Sequence, residues 1–331
     1  MPRRKREGIL THSGLGFVIR LCFVLCGLVA LPQSGRAAEQ TPHTPSAPGP
    51  SLLYISDYFS FVGTDAQGHV SFILDNNRGK DGAKYQAEHL VLLHDEQQGW
   101  VELAGNGSYP NLHHDTARIP DSPNFRFEGT PESGITISSS SNNLVLKIGS
   151  LTRHTQNQHN GGETWMSAGP AELTWRGRTI PGRVIYEYVM MPNFNRLTKT
   201  YWGMWKGFQG LYLSAANPTD LYLHSHQSDR LALLVSKLMG FTVNGDVPAS
   251  MQDIRIVVRD EVFAPGMYRW PKQWRISWMS SAGPGTMNIS LSFRKTLSSW
   301  FIGGFSMGIV TGEITAGERT VPVYGLAELI M

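Results

Sequence analysis

The strongest constraint on the fold is a stretch that occurs twice, 141 positions apart. Residues 172–188 read E-L-T-W-R-G-R-T-I-P-G-R-V-I-Y-E-Y, and residues 313–329 read E-I-T-A-G-E-R-T-V-P-V-Y-G-L-A-E-L. Without a gap, six positions are identical, among them Arg178 and Arg319, Pro181 and Pro322, and Glu187 and Glu328. Each copy has two β-like runs around a turn holding Gly177 or Gly317. The second run enters through a proline, which a strand tolerates near its start or at an edge. An unbroken register of this length predicts one supersecondary module written twice, each copy closing its own half of the chain.

The first 37 residues read as a leader rather than as part of the fold. Arg3 to Arg6 form a basic head, Leu21 to Leu31 is an apolar core of signal-peptide length, and Gly35 and Ala37 satisfy the small-x-small rule for cleavage. A retained membrane anchor is the lesser alternative, because Arg20 interrupts the apolar stretch and the remainder is short for a span. Export to the periplasm or the exterior is the expectation. Both cysteines, Cys22 and Cys26, fall inside the leader, so a mature chain has no disulfide, thiol nucleophile or cysteine-ligated metal. The leader carries six basic residues and one acid, and removing that +5 from the formal +3 leaves about −2. A nucleic-acid partner therefore loses its electrostatic basis.

Residues 38–50 are a Pro-, Thr- and Ser-rich linker with nothing to bury. From Leu52 onward, short apolar alternations bounded by Gly, Pro, Asn and Asp dominate, with strands expected at 52–62, 70–74, 85–93, 100–109, 134–139 and 144–148. The passage Met191 to Asn195 separates the halves, placing one domain at 51–192 and a second at 193–331. In the second half a helix is expected from Arg230 to Met239, capped by Ser228 or Asp229 and stopped by Gly240. Strands follow at 254–259, 274–279, 287–293 and 299–308. The architecture predicted is all-β: two tandem antiparallel barrels with one or two short helices.

Several residues could carry chemistry. Glu187 shares its strand face with Ile185 and Val189, and Glu328 shares one with Leu326 and Ile330. A carboxylate on an apolar face is costly unless paired, so it either meets Arg178, Arg183 or Arg319 or serves as a proton donor of raised pKa. The run Asp75 to Gly82 is expected as a polar loop at a barrel mouth, with Asp75 and Arg78 as candidates. Glu88 and His89 precede a strand that His94, Asp95 and Glu96 follow, and His224 and His226 share a strand face. No third metal ligand is identifiable by spacing, and no metal or cofactor is assigned. Phosphate-cradling and dinucleotide glycine motifs are missing from the sequence. The strongest binding signal is aromatic: Trp270, Trp274 and Trp278, with Tyr201, Trp202 and Trp205, either line a cup for a long apolar ligand or fill a barrel core.

The aromatic strand Asp57-Tyr58-Phe59-Ser60-Phe61-Val62-Gly63, the turn Asp65-Ala66-Gln67-Gly68, and a last strand with Gly325 and Glu328 resemble the lipocalin-like carotenoid hydratase (hydroxyneurosporene synthase) family and its double-calycin relatives. Tyr58 and Phe59 stand where tryptophans are common in that family. The resemblance implies two consecutive lipocalin-type barrels that carry or act on hydrophobic, often isoprenoid, ligands. Two functions follow as expectations: binding of a lipid or isoprenoid, with peripheral membrane contact compatible with it, or a hydratase or isomerase that protonates a double bond. Glu187, Asp75, Glu88 or His89 would then give the proton. A structural role in the envelope is the third class.

Overall fold

The computed structural model describes residues 54–81, 84–110, 119–159, 162–191, 208–215, 219–226, 237–244, 247–264, 268–281, 283–299 and 303–330. Every regular element among them is a strand. The first half supplies β1 (Tyr54–Asp65), β2 (Gly68–Asp81), β3 (Lys84–Asp95), β4 (Gly99–Val101), β5 (Gly107–Pro110), β6 (Arg126–Thr130), β7 (Gly134–Ser139), β8 (Leu144–Ile148), β9 (Thr152–His159), β10 (Gly162–Trp175) and β11 (Arg178–Met191). The second supplies β12 (Phe208–Ala215), β13 (Thr219–His226), β14 (Lys237–Asn244), β15 (Val247–Ser250), β16 (Gln252–Ala264), β17 (Tyr268–Ser280), β18 (Gly283–Ser299), β19 (Gly303–Ala316) and β20 (Arg319–Ile330).

The two repeated ribbons occupy equivalent positions. β10–β11 brings the end of the first half back beside its beginning, so that β1 lies between β2 and β11. β19–β20 does the same for the second half, with β12 between β13 and β20. Both ribbons turn through two residues. Arg176 and Gly177 have φ of 50° and 80°, the pattern of a type I′ turn, while Gly317 at 60° is the first turn residue of its copy, as in type II′. The glycine therefore sits one place earlier in the second copy.

Each sheet curls around its own core. Phe59, Phe72 and Val91 at one end of the first sheet pack in the same cluster as Phe127, Ile137 and Leu146 at the other. In the second half, Leu211 and Val323 meet Trp274, Ile276, Trp278 and Met287. A third cluster joins the halves: Ile73, Leu90, Leu92, Met166 and Ile185 of the first sheet meet Met307, Ile309 and Leu326 of the second, with Tyr58 stacked on Tyr212 at 4.7 Å. Residues 49–331 accordingly form one compact unit.

Four local expectations change. The polar run from Asp75 is not a loop, because β2 continues through Asp81, pairing with β1 as far as Gly79 and with β3 to Asp81. The helix expected from Arg230 is interrupted by pairing: Lys237 to Met239 belong to β14, hydrogen-bonded to β13, and 230–236 lie outside the described residues. The strand expected at 100–109 breaks into β4 and β5 at Gly105 and Gly107, both at positive φ. Asn106 repairs the gap by bonding both the amide and the carbonyl of Val91 with its side chain. The strand expected at 299–308 is split, Ser299 ending β18 and pairing with Gly303 at the start of β19.

Gly325 is required by the closing contact of the second half, since a Cβ there would lie 2.1 Å from the Tyr212 carbonyl oxygen and 2.8 Å from Leu213 Cα. Both obstacles are backbone, so β12 and β20 would have to separate. Gly325→Ala is expected to lower stability by about 1–3 kcal/mol, measured by urea denaturation. An unchanged midpoint would remove this account of the closure.

Candidate functional site

The strip β11–β1–β2–β3 of the first sheet is buried on both faces, by its own core on one side and by the second half on the other. Side chains alternate along each strand, so the buried polar residues divide into two groups facing opposite ways. Asp57, Asn76, Arg78, His89 and Tyr186 face into the first barrel. Ser56, Asp75, Asn77, Glu88 and Glu187 face the second half.

On the inner face, Arg78 and Asp57 form an ion pair at 1% and 3% side-chain exposure, with Tyr186 donating to the other carboxylate oxygen. A buried charge of this kind is sustained only by its partners. Arg78 Nη1 also donates to Asn76 Oδ1 at 3.0 Å. That fixes the Asn76 amide, turning its Nδ2 toward His89 Nε2 and the Tyr109 hydroxyl. Tyr109 reaches the same His89 nitrogen at 2.9 Å. His89 Nε2 is therefore an acceptor and the ring proton sits on Nδ1. Burial and the Arg78 charge push the His89 pKa down to about 3, so the ring is neutral. A neutral imidazole whose basic nitrogen is occupied is a poor proton donor.

Asp57 and Tyr186 form the floor of a cavity of about 750 Å³ in the first barrel. Its walls are Ile119, Phe127, Ile135, Trp165 and Tyr188, and its mouth is the β6–β7 turn, where Glu128, Thr130 and Glu132 are exposed. Trp165 stacks on Tyr188 at 5.1 Å and meets Tyr186 edge-on at 5.2 Å. Desolvation, together with the Asp57 charge, raises the Tyr186 pKa well above its ordinary value, so the phenol keeps its proton.

On the outer face, Tyr58 lies directly across from both Asp75 and Glu187. Asp75 accepts from Ser56 and Asn77, each at 2.7 Å, and Tyr54 donates to Asn77 Oδ1. Tyr212 of the second half places its hydroxyl 2.9 Å from Glu187 Oε2 and 2.9 Å from Glu328 Oε2. Its ring reaches them because position 210 is glycine, where a Cβ would meet the ring at 3.0 Å. One hydroxyl has one proton to give, so one of the two carboxyls must itself be protonated and donate to the phenol oxygen. Burial and the charges of Glu187 and Asp75 raise Glu328 well above the usual carboxylate range, and it is the natural holder of that proton. The gap beside Tyr212 is about 10 Å³, too small for a ligand.

The structure thus gathers Asp75, Glu88 and Glu187 between the halves, and puts Arg78 and His89 beneath the cavity floor. Glu187 meets Tyr212, and Arg178, one of the arginines expected beside it, is engaged elsewhere. Arg178 is nine residues from Glu187 on the same strand, about 30 Å at ~3.3 Å per residue, and it binds Asp65 at 2.9 Å and Asp95 at 2.5 Å instead. Trp274 and Trp278 are buried in the second core, where Trp278 lies over Gly285. They fill that core. The side chain of Trp270 and the whole of Tyr201, Trp202 and Trp205 lie outside the described residues. Asp57, Tyr186, Trp165 and Tyr212 are not among the site residues expected from the sequence. For Asp57 the signal existed: it alternates with Phe59 and Phe61, an acid on an aromatic strand face.

No protein-family model and no curated protein sequence matches the chain. Among solved structures it is similar to kievitone hydratase from Nectria haematococca, with a TM-score of 0.55, 11% identity, and 83% of this chain and 88% of that one covered. It is also similar to a protein provisionally described as AttH from Nitrosomonas europaea, with a TM-score of 0.56, 11% identity, and 91% and 99% coverage. The architecture is therefore a lipocalin-like, calycin-type double barrel.

The interface carboxyls set an unusual pH dependence. Asp75 is raised from 3.8 to about 7, first by burial and then by Glu88 and Glu187 against the opposing hydrogen bonds, and burial with the Glu187 and Asp75 charges raises Glu328 well above its ordinary value. A raised folded-state pKa means that the native chain binds protons more tightly than the unfolded one. Its stabilising contribution is complete below about pH 4 and disappears as pH climbs through 7 and beyond. Urea midpoints are expected to fall between pH 5.5 and pH 8.5, with a flatter profile in Asp75→Asn and Glu328→Gln. A wild-type midpoint that rises over this range would contradict the assignment.

Proposed function

We propose that the chain binds a hydrophobic small molecule, of the lipid or isoprenoid class, inside the first barrel and acts as an exported carrier. The observation that carries this reading is the cavity of about 750 Å³ with apolar and aromatic walls over a polar floor. That volume falls within the range of small-molecule sites, and a few fixed polar groups at one end are how such sites orient a ligand. The leader read from the sequence supports export, and an apolar cargo is consistent with peripheral contact with a membrane. Purified protein exposed to lipid extract and analysed by native mass spectrometry is expected to retain one ligand per chain. Retention of nothing sinks the carrier.

A second reading is a hydratase or isomerase on the same scaffold. It draws support from the Tyr186–Asp57 pair in the cavity and from a structural neighbour that is a hydratase. Of the acids proposed from the sequence, Asp75, Glu88 and Glu187 face away from the cavity, so a proton would have to pass from the Asp57–Tyr186 floor. Addition of water to a polyene or enone substrate is expected to fall at least a hundredfold in Tyr186→Phe, followed by product mass gain of one water. Equal turnover by the variant rules out this route.

A further inference from the structure

Resting on the binding reading above, we infer that the cavity selects a ligand whose polar end donates hydrogen bonds and carries no negative charge: an alcohol, phenol or amine on an apolar body. The argument is an inventory of protons at the floor. Tyr186 has one hydroxyl proton, and it is given to Asp57 Oδ1. Asp57 is a carboxylate paired with Arg78, which donates to Oδ2. Arg78 spends further donor capacity on Asn76, away from the cavity. What the floor presents to an incoming group is therefore lone pairs, on the Tyr186 oxygen and on Asp57. A ketone, ester or carboxylate brought there would set acceptor against acceptor.

The walls point the same way. The charged residues that line the cavity among those described are Asp57, Glu128, Glu132 and Glu163, all acidic. Trp165, Tyr186 and Tyr188 turn aromatic surface toward the space above the floor, a setting that attracts an ammonium group. An anionic lipid head meets repulsion from Glu128, Glu132 and Glu163 along the way in. An amine is favoured over an alcohol by the acids at the rim, an effect that salt screens.

Four ligands of one chain length separate these chemistries: decylamine, decanol, 2-decanone and decanoate, measured by calorimetry on the wild-type chain. Decylamine and decanol are expected to bind about tenfold more tightly than 2-decanone and decanoate, the cost of leaving a buried polar group unpaired. The margin of the amine over the alcohol is expected to shrink as salt is raised. Tyr186→Phe keeps the ring, removes one acceptor and frees Asp57 Oδ1 to accept in its place, so decanol should keep its advantage over 2-decanone. If decanoate or 2-decanone binds as tightly as decanol, the donor assignment is wrong while the cavity remains a binding site. If none of the four binds, the binding reading itself falls and takes this inference with it. A ratio that falls to one in Tyr186→Phe removes Asp57 from the role given to it.

Discussion

Everything in this protein is arranged around a strip of sheet that has no solvent face. β11, β1, β2 and β3 are covered inside by the first core and outside by the second half, yet the strip carries Asp57, Asp75, Arg78, Glu88 and Glu187. Burying these groups is tolerable only if each finds charge or hydrogen-bond partners within the protein. The two faces solve that problem differently. The inner face brings its own cation, Arg78, and uses Asn76 to pass orientation on to His89. The outer face gathers acids around phenols and amides, and retains protons instead.

That difference has consequences for how the halves hold together. The hydroxyl of Tyr212 sits between the repeated glutamates, one from each closing ribbon, so the duplicated residue has become a single shared site. Tyr58 stacks on the same ring, and apolar side chains from both sheets surround it. Elsewhere Lys295 reaches Glu102, and Tyr324 stacks on His69 at 4.1 Å. Among the described residues the union is thus mostly apolar packing, with the proton-dependent Tyr212 bridge at its centre. The raised affinity for protons there is a property of the pair of barrels and belongs to neither half alone.

The inner network does a different job. By fixing Asp57 and Tyr186 at the base of the cavity, Arg78 turns a buried charge into an oriented set of acceptors. The second barrel, by contrast, has its tryptophans Trp274 and Trp278 committed to packing against Ile276, Met287 and Ile289. Among the described residues, the tryptophans of the second half pack into its core, while Trp165 of the first lines a cavity.

Period-two alternation, punctuating glycines and the repeated ribbon were enough to establish a β protein in two halves, each sealed by its own last strand. They also marked Glu187 and Glu328 as acids on apolar faces, and Asp75, Arg78, Glu88 and His89 as residues of interest. Alternation says that Asp75 and Asn76 point opposite ways. It cannot say which way is the cavity, because both faces of the strip are buried and both carry polar rows. For the same reason Asp75 to Asp81 looked like a loop: local polarity mimics solvent exposure, whereas here the partners that satisfy those groups come from β1, β3 and, for the carboxyl cluster, from Tyr212 on a distant strand. The sequence by itself determined the module and its duplication. Only the packing of one half on the other decided which acids share a proton and which face the cavity, since that depends on contacts between residues far apart in the chain.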